Sequence, residues 1–328
     1  MDKKNVKIKS VMFGHAVADA LGVPVEFQTR TELLKNPVTD MRGYGTYPVP
    51  TGTWSDDTSM ALAALDSLAN GKIDLFEIMI NFVKWLDEGA YTATGETFDV
   101  GGTCKRAILN FIGVCYSEEK GFFLPTDFDV TECGLGGQYS NGNGALMRIH
   151  PFVLMKRFYK STNMDLDVLI EKATSLTHAH ERSILASKIY ARVLWELLET
   201  PKKESILHAL HMSDCIYSAD SEYHHFIRLF DQNFSQLRVE EIKSTGYVVD
   251  TLEAAIWCVL TTDSYQDCVL KAVNLGEDTD TVAAVAGGLA GALYGYENIP
   301  QKWLDQLICK EYIDEMCERA SLVWNARR

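Results

Sequence analysis

Apolar residues recur at intervals of three and four along almost the whole chain, the spacing that turns one face of an α-helix toward a core. Val11, Met12, Ala16, Ala20 and Leu21 make one such stripe, and Met60, Ala64, Leu65 and Leu68 another. Residues 74–88 carry Ile78, Met79, Phe82 and Leu86 on one face, with Asp74 placed to cap the first turn. The spacing predicts further helices over about 143–160, 165–176, 181–199, 250–261, 265–274, 279–294 and 301–325, and a shorter run over 104–111. Sustained alternation of the strand type is almost absent, and Val, Ile and Tyr fall at helical spacing. The fold is expected to be all-α, a multi-helix bundle.

Two stretches interrupt the helical pattern. Residues 37–53 hold Pro37, Gly43, Gly45, Pro48, Pro50 and Gly52, and cannot be regular helix. Residues 116–143 form a second long connection that runs into a glycine-rich segment from Gly134 to Gly144. Long loops of this kind in a compact domain are often functional. No linker or composition break divides residues 1–328, so one domain is expected, large enough at 47% hydrophobic to bury a sizeable core. The formal charge of −14, with no basic stripe to offset it, argues against a nucleic-acid-binding surface. There is no signal-peptide pattern after Met1 and no apolar run long enough to span a bilayer. The eight cysteines include no Cys-x-x-Cys pair, and several sit in apolar runs, as Cys258 does, so they read as reduced core residues. A cytoplasmic protein that acts as a monomer is the expectation.

Candidate chemistry is concentrated in two acidic clusters, each opening a helix of small apolar residues. They are Thr53-Trp54-Ser55-Asp56-Asp57-Thr58 and Gly276-Glu277-Asp278-Thr279-Asp280-Thr281. Ser, Thr and Asp are favoured caps at helix N-termini, and capping is the commoner use of one such cluster. Two clusters carry more acids and hydroxyls than caps employ. Their four aspartates are hard oxygen donors suited to Mg²⁺, Mn²⁺ or Ca²⁺, and would repel one another unless cations lay between them. A site for two metal ions is the economical reading.

Four other segments stand out. The small-residue helix from Gly14 stops at Gly22-Val23-Pro24 and delivers Glu26 just beyond its end; Asp19 within it reads as a buried structural acid. Phe98-Asp99-Val100-Gly101-Gly102-Thr103 offers either a helix N-terminus for phosphate or a sugar hydroxyl, or simply Asp99 as a cap. Ser140-Asn141-Gly142-Asn143-Gly144-Ala145 offers either amides converging on a diphosphate or a plain turn. Thr177-His178-Ala179-His180 closes a helix, and histidines two apart point to different sides, so no two-histidine metal site is expected. One of them could line a pocket, and His180 reads as a helix-terminal residue favoured by the dipole.

Taken in order, these segments resemble the ADP-ribosylglycohydrolase family. The pieces are Asp19-Ala-Leu-Gly-x-Pro-x-Glu26-Phe27, Trp54-Ser-Asp-Asp-Thr-Ser-Met60, Phe98-Asp-x-Gly101, Gly142-Asn-Gly-Ala-Leu-Met-Arg148 with Pro151, Thr177-His178, and Asp278-Thr-Asp-Thr281 with Gly287 and Gly291. Ile299-Pro300 and Trp303 extend the match, which spans residues 10–308. The resemblance implies an all-α orthogonal bundle with two divalent cations, Mg²⁺ or Mn²⁺, at the base of an ADP-ribose cleft. It implies Ser55, Asp56, Asp57, Asp278, Asp280 and Thr281 as ligands, and Glu26, Asp99 and Asp57 as catalytic residues. Gly101, Ser140, Asn141, Gly142, Asn143, Gly144, Ala145 and His178 would bind substrate. The implied activity is hydrolysis of the C1″ glycosidic bond that joins ADP-ribose to a modified protein side chain, with arginine the first choice because Asp99 is present.

The chain departs from the family pattern at three places. Ala18 replaces a glycine, Glu277 stands where Gly or Asn is common, and Phe98-Asp-Val-Gly-Gly-Thr varies a segment often written with Asn before the threonine. None removes an implied ligand, but acceptor preference stays open. Two other readings remain at this point: a catalytically silent member that binds ADP-ribose or occludes a toxin, and a hydrolase of free ADP-ribose derivatives.

Overall fold

Two helices from opposite ends of the chain form the centre of the fold. The computed structural model describes residues 3–159 and 163–326. Helix α1 (Lys3–Gly22) lies against a later helix, Thr279–Tyr294, along small-residue faces. A Cβ at Gly287 would meet the Gly14 carbonyl oxygen at 2.3 Å, and one at Gly22 would meet the Asp280 Cα at 2.3 Å. Only glycine permits this approach. The Thr279 hydroxyl donates to the Gly22 carbonyl at 2.8 Å and fixes the register. Each large apolar side chain fully buried along this seam contributes roughly 1.5–3 kcal/mol.

The remaining helices wrap this pair. In chain order they are α2 (Arg30–Lys35), α3 (Asp56–Leu68), α4 (Leu75–Glu88), α5 (Gly102–Cys115), α6 (His150–Phe158), α7 (Leu166–Ser175), α8 (Glu181–Glu199) and α9 (Lys203–Tyr217). There follow α10 (Val248–Leu260), α11 (Tyr265–Val273), α12 (the Thr279–Tyr294 helix), α13 (Gln301–Gln306) and α14 (Lys310–Ala326). Among the described residues the one sheet is a hairpin of two-residue strands, β1 (Tyr116–Ser117) and β2 (Gly121–Phe122). The fold is all-α, as the periodicity predicts.

Local chemistry explains most boundaries. Asp74 accepts the Glu77 amide at 3.0 Å and Gly89, at φ 67°, closes α4. The run predicted over 143–160 is shorter. Residues Leu146–Arg148 form a 3₁₀ turn and α6 starts only at His150, because Pro151 belongs in a first turn and cannot continue a helix from upstream. Residue 160 lies outside the described residues. The run predicted over 301–325 breaks between α13 and α14, where Cys309 takes φ 51°. His180 does not end a helix: its ring accepts the Arg182 amide at 3.1 Å and caps the start of α8. Cys215 and Cys309 are exposed, whereas the other six thiols are buried. No helix among the described residues is long and apolar enough to cross a membrane.

Candidate active site

The seam between α1 and α12 brings the two acidic clusters together. Asp19, wholly buried on α1, accepts the Ser55 amide at 2.9 Å, the Thr58 amide at 3.1 Å and the Thr58 hydroxyl at 2.6 Å. What it holds through these bonds is the first turn of α3. Burial pushes its carboxyl up to about 6, opposed by those hydrogen bonds. Capping of α3 falls to Ser55, whose hydroxyl accepts the Asp57 amide. The Asp56 and Asp57 carboxylates cap nothing. Asp278, at the N-cap of α12, makes no capping bond either and instead accepts from the Asn143 amide group at 2.8 Å. Thr281 Oγ1 donates to Asp57 Oδ2 at 3.2 Å, joining clusters 224 positions apart.

The electrostatics of this junction are unfavourable without positive charge. Asp57 Oδ1, Asp278 Oδ1, Asp280 Oδ2 and Glu26 Oε2 are screened from solvent and have no hydrogen-bond partner. Oxygens of Asp19, Asp57 and Asp280 lie within 4.8 Å of one another, as do those of Glu26, Asp99 and Asp280. Asp280 is common to both groups. Burial first, then neighbouring carboxylates, push Asp56, Asp57 and Asp280 well above the usual carboxylate range. Asp278 is raised as well, mainly by burial. Orphaned oxygens from an all-oxygen donor set fit hard divalent cations.

Above this floor opens a cleft of about 260 Å³. Glu26, Asp56, Asp99, Gly101, Gly142, Asn143, Gly144, His178, Asp278 and Thr281 border it. Ser55, Asp57 and Asp280 do not; they sit behind Thr281, Asp57 receiving the hydroxyl of Ser55 as well as that of Thr281. Ser140, Asn141 and Ala145 also stand off the cleft. Asn141 turns into the protein, donating to the Gln138 carbonyl and accepting from the Ser183 hydroxyl, and Ala145 is buried. The loop spends backbone groups on the segment before α10: the Asn143 amide donates to Gly246, and the Val248 amide to Asn141. Its contribution to the cleft therefore narrows to Gly142–Gly144. His178 is buried and held down to about 3, by burial and then by the Arg148 charge, so it is neutral. Asp99 does not cap α5, whose N-cap is Gly101.

Burial and the facing charge of Asp99 push Glu26 up to about 9. Tyr47, from the Pro/Gly-rich loop, lies beside Glu26 and Asp99, where burial and their charges raise its phenol, and its ring packs obliquely on Phe98, centroids 4.9 Å apart. Phe27, Thr103 and Met147 lie in segments singled out above but were not themselves named as site residues; Cys104, Gly246 and, beside the cleft, Tyr47 were not named at all.

Glu26 and Asp278 are held in place by a backbone clasp. The Phe27 amide donates to the Glu277 carbonyl at 2.7 Å, and the Glu277 amide to the Gln28 carbonyl at 2.7 Å. Both residues are left-handed, Phe27 at φ 65° and Glu277 at φ 63°. Gly or Asn, which the resemblance leads one to expect at position 277, would adopt this conformation at lower cost. Glu277→Asn is expected to raise stability by about 1 kcal/mol, read as a higher denaturation midpoint with unchanged m. A midpoint that falls would show that the conformation carries no strain.

Comparison with known proteins agrees with this architecture. The chain belongs to the ADP-ribosylglycohydrolase family, whose model matches residues 2–328. It is accordingly an enzyme of the class that hydrolyses ADP-ribosyl glycosidic linkages. It is similar to the ADP-ribosylarginine hydrolase Tri1 of Serratia proteamaculans, at 32% identity over 317 residues, spanning 95% of this chain and 78% of the relative. It is also 30% identical to the ADP-ribosyl-[dinitrogen reductase] glycohydrolase of Rhodospirillum rubrum, over 90% of this chain and 88% of that one. A solved structure described as an ADP-ribosylglycohydrolase-related protein complex superposes with a TM-score of 0.79, at 27% identity, over 99% of this chain and 100% of the other.

Proposed function

We propose that this enzyme is a metal-dependent ADP-ribosylarginine hydrolase built as one domain over residues 1–328. The observation that carries the reading is the junction of the two acidic clusters, with unpartnered carboxylate oxygens beneath a cleft bordered by Glu26 and Asp99. The arginine linkage is supported by the name of the Serratia relative and by the carboxylates at the scissile end of the cleft. Ser55, Asp56, Asp57, Asp278, Asp280 and Thr281 would hold two cations, Mg²⁺ or Mn²⁺, which when bound orient the ribose hydroxyls and acidify a water.

The chain's own residues supply the rest. Burial and Asp99 favour a proton on the Glu26 carboxyl, which is placed to pass to the departing guanidine nitrogen as the C1″–N bond breaks and a water oxygen forms the new bond to C1″, that water giving up its proton to solvent. Asp99 helps hold that proton in place through its charge, and Tyr47 lies beside the pair. Gly142–Gly144 bring backbone close to the ligand; a side chain at Gly144 would strike Cys104 Sγ at 2.7 Å.

The test is release of ADP-ribose from an arginine-ADP-ribosylated protein in Mg²⁺ and in EDTA, beside a serine-linked substrate and a free ADP-ribose derivative. Release confined to the arginine substrate and lost in EDTA is the expected result. Release undiminished by EDTA would remove the metal from the proposal, and release from another substrate alone would remove arginine.

A further inference from the structure

Three of the seven non-glycine residues with left-handed backbones among the described residues, Phe27, Asp99 and Glu277, gather on the Glu26 side of the cleft. Phe27 is the most unusual. It is a bulky residue in a conformation that costs free energy, and its side chain is 67% exposed at the cleft border rather than buried. Strain kept at such a position points to a role in function. The clasp sets the exposed Glu277 directly beside it.

Charge decides what this side accepts. Asp99 and Glu26 border the cleft here and Glu277 stands just outside it beside Phe27, so this side is acidic and an anionic diphosphate is repelled there. The far side is formed by Gly142–Gly144 and His178, and its one carboxylate, Asp278, is engaged by the Asn143 amide group at 2.8 Å. A planar cation suits the acidic side: its charge is attracted to the face of an aromatic ring and to a neighbouring carboxylate.

We propose that Phe27 and Glu277 form the acceptor subsite, with the Phe27 ring stacking on the guanidinium of the modified arginine and Glu277 receiving cationic groups of the flanking peptide. This rests on the arginine reading of the function. Phe27 acts on substrate specificity, and Glu26 remains the proton donor.

The experiment uses the full chain in Mg²⁺ with arginine- and serine-linked ADP-ribosyl peptides, and free ADP-ribose as competing inhibitor. Phe27→Leu keeps an apolar side chain without a ring; it should raise KM for the arginine peptide about two- to fivefold and leave the inhibition constant of ADP-ribose in place. Phe27→Trp should return KM to the wild-type value. Glu277→Gln should raise KM about twofold and flatten its dependence on salt. An unmoved KM in Phe27→Leu overturns the proposal, as does an ADP-ribose inhibition constant that weakens in step with KM, which would place the ring on adenine. Wild type that cleaves only the serine peptide overturns the arginine reading itself, before any variant is compared.

Discussion

Asp280→Asn is expected to abolish ADP-ribose release while making the cation-free protein harder to unfold. Asp280 belongs to both carboxylate groups of the site, and one of its oxygens has no partner. Loss of a ligand shared by both should cost several kcal/mol in the transition state, roughly a thousandfold or more in rate. Stability should move the other way. With its folded pKa raised well above the ordinary value, Asp280 is at ease only while protonated. The unfolded carboxyl ionises near pH 4, so cation-free stability is complete below that pH and is lost progressively as pH rises toward the folded value. Asparagine keeps the hydrogen bond from the Thr281 amide, removes this penalty, and should add on the order of 2 kcal/mol at neutral pH. Thermal melts at pH 5 and pH 8, in EDTA and in Mg²⁺, test both halves. Wild type should gain most from Mg²⁺ at the higher pH, and the variant little at either. An active variant, or one that melts below wild type in EDTA, contradicts the assignment.

Glu26→Gln should lower kcat by about 10²–10⁴, the usual contribution of a positioned acid. Only the protonated carboxyl can donate, so wild-type kcat should fall as pH rises through the Glu26 pKa. That value is about 9 without cations and is drawn lower by positive charge nearby. The variant should lose this alkaline limb. A substrate whose leaving group departs without protonation separates chemistry from folding, because on it the variant should recover most of its rate. An equal loss on both substrates would make Glu26 a binding or structural residue.

The sequence announced those parts of the fold whose polar and apolar faces are cleanly divided. Helix α8 matches its predicted bounds at Glu181 and Glu199, and α12 matches at Thr279 and Tyr294. Helix α9 went unread because Leu207, Met212 and Ile216 are exposed apolar residues that blur its stripe, and no side chain caps its start. The break before α14 follows from left-handed Cys309, a conformation no residue type there foretells. The acidic clusters were legible because their composition exceeds what capping needs. The roles of Asn141 and Ala145 were not, since only the pairing of 141–143 with 246–248 turns them inward. Phe27 reaches the cleft, and Tyr47 its Glu26 side, through loop paths that leave no periodic trace.

The seam of α1 and α12 also sets the order in which the protein can be made. Asp56 and Asp57 leave the ribosome early, whereas Asp278 and Asp280 follow more than two hundred residues later. At synthesis rates of about 5–20 residues per second, the first cluster waits roughly ten seconds or longer for its counterpart. Through that interval the small-residue face of α1 has no partner, because the helix that covers it has not been translated. Contacts of such high sequence separation slow folding and leave the nascent chain open to misassembly. The last helices of the chain thus complete both its core and its chemistry, and an N-terminal fragment, however long, gains neither until residues 279–294 have emerged.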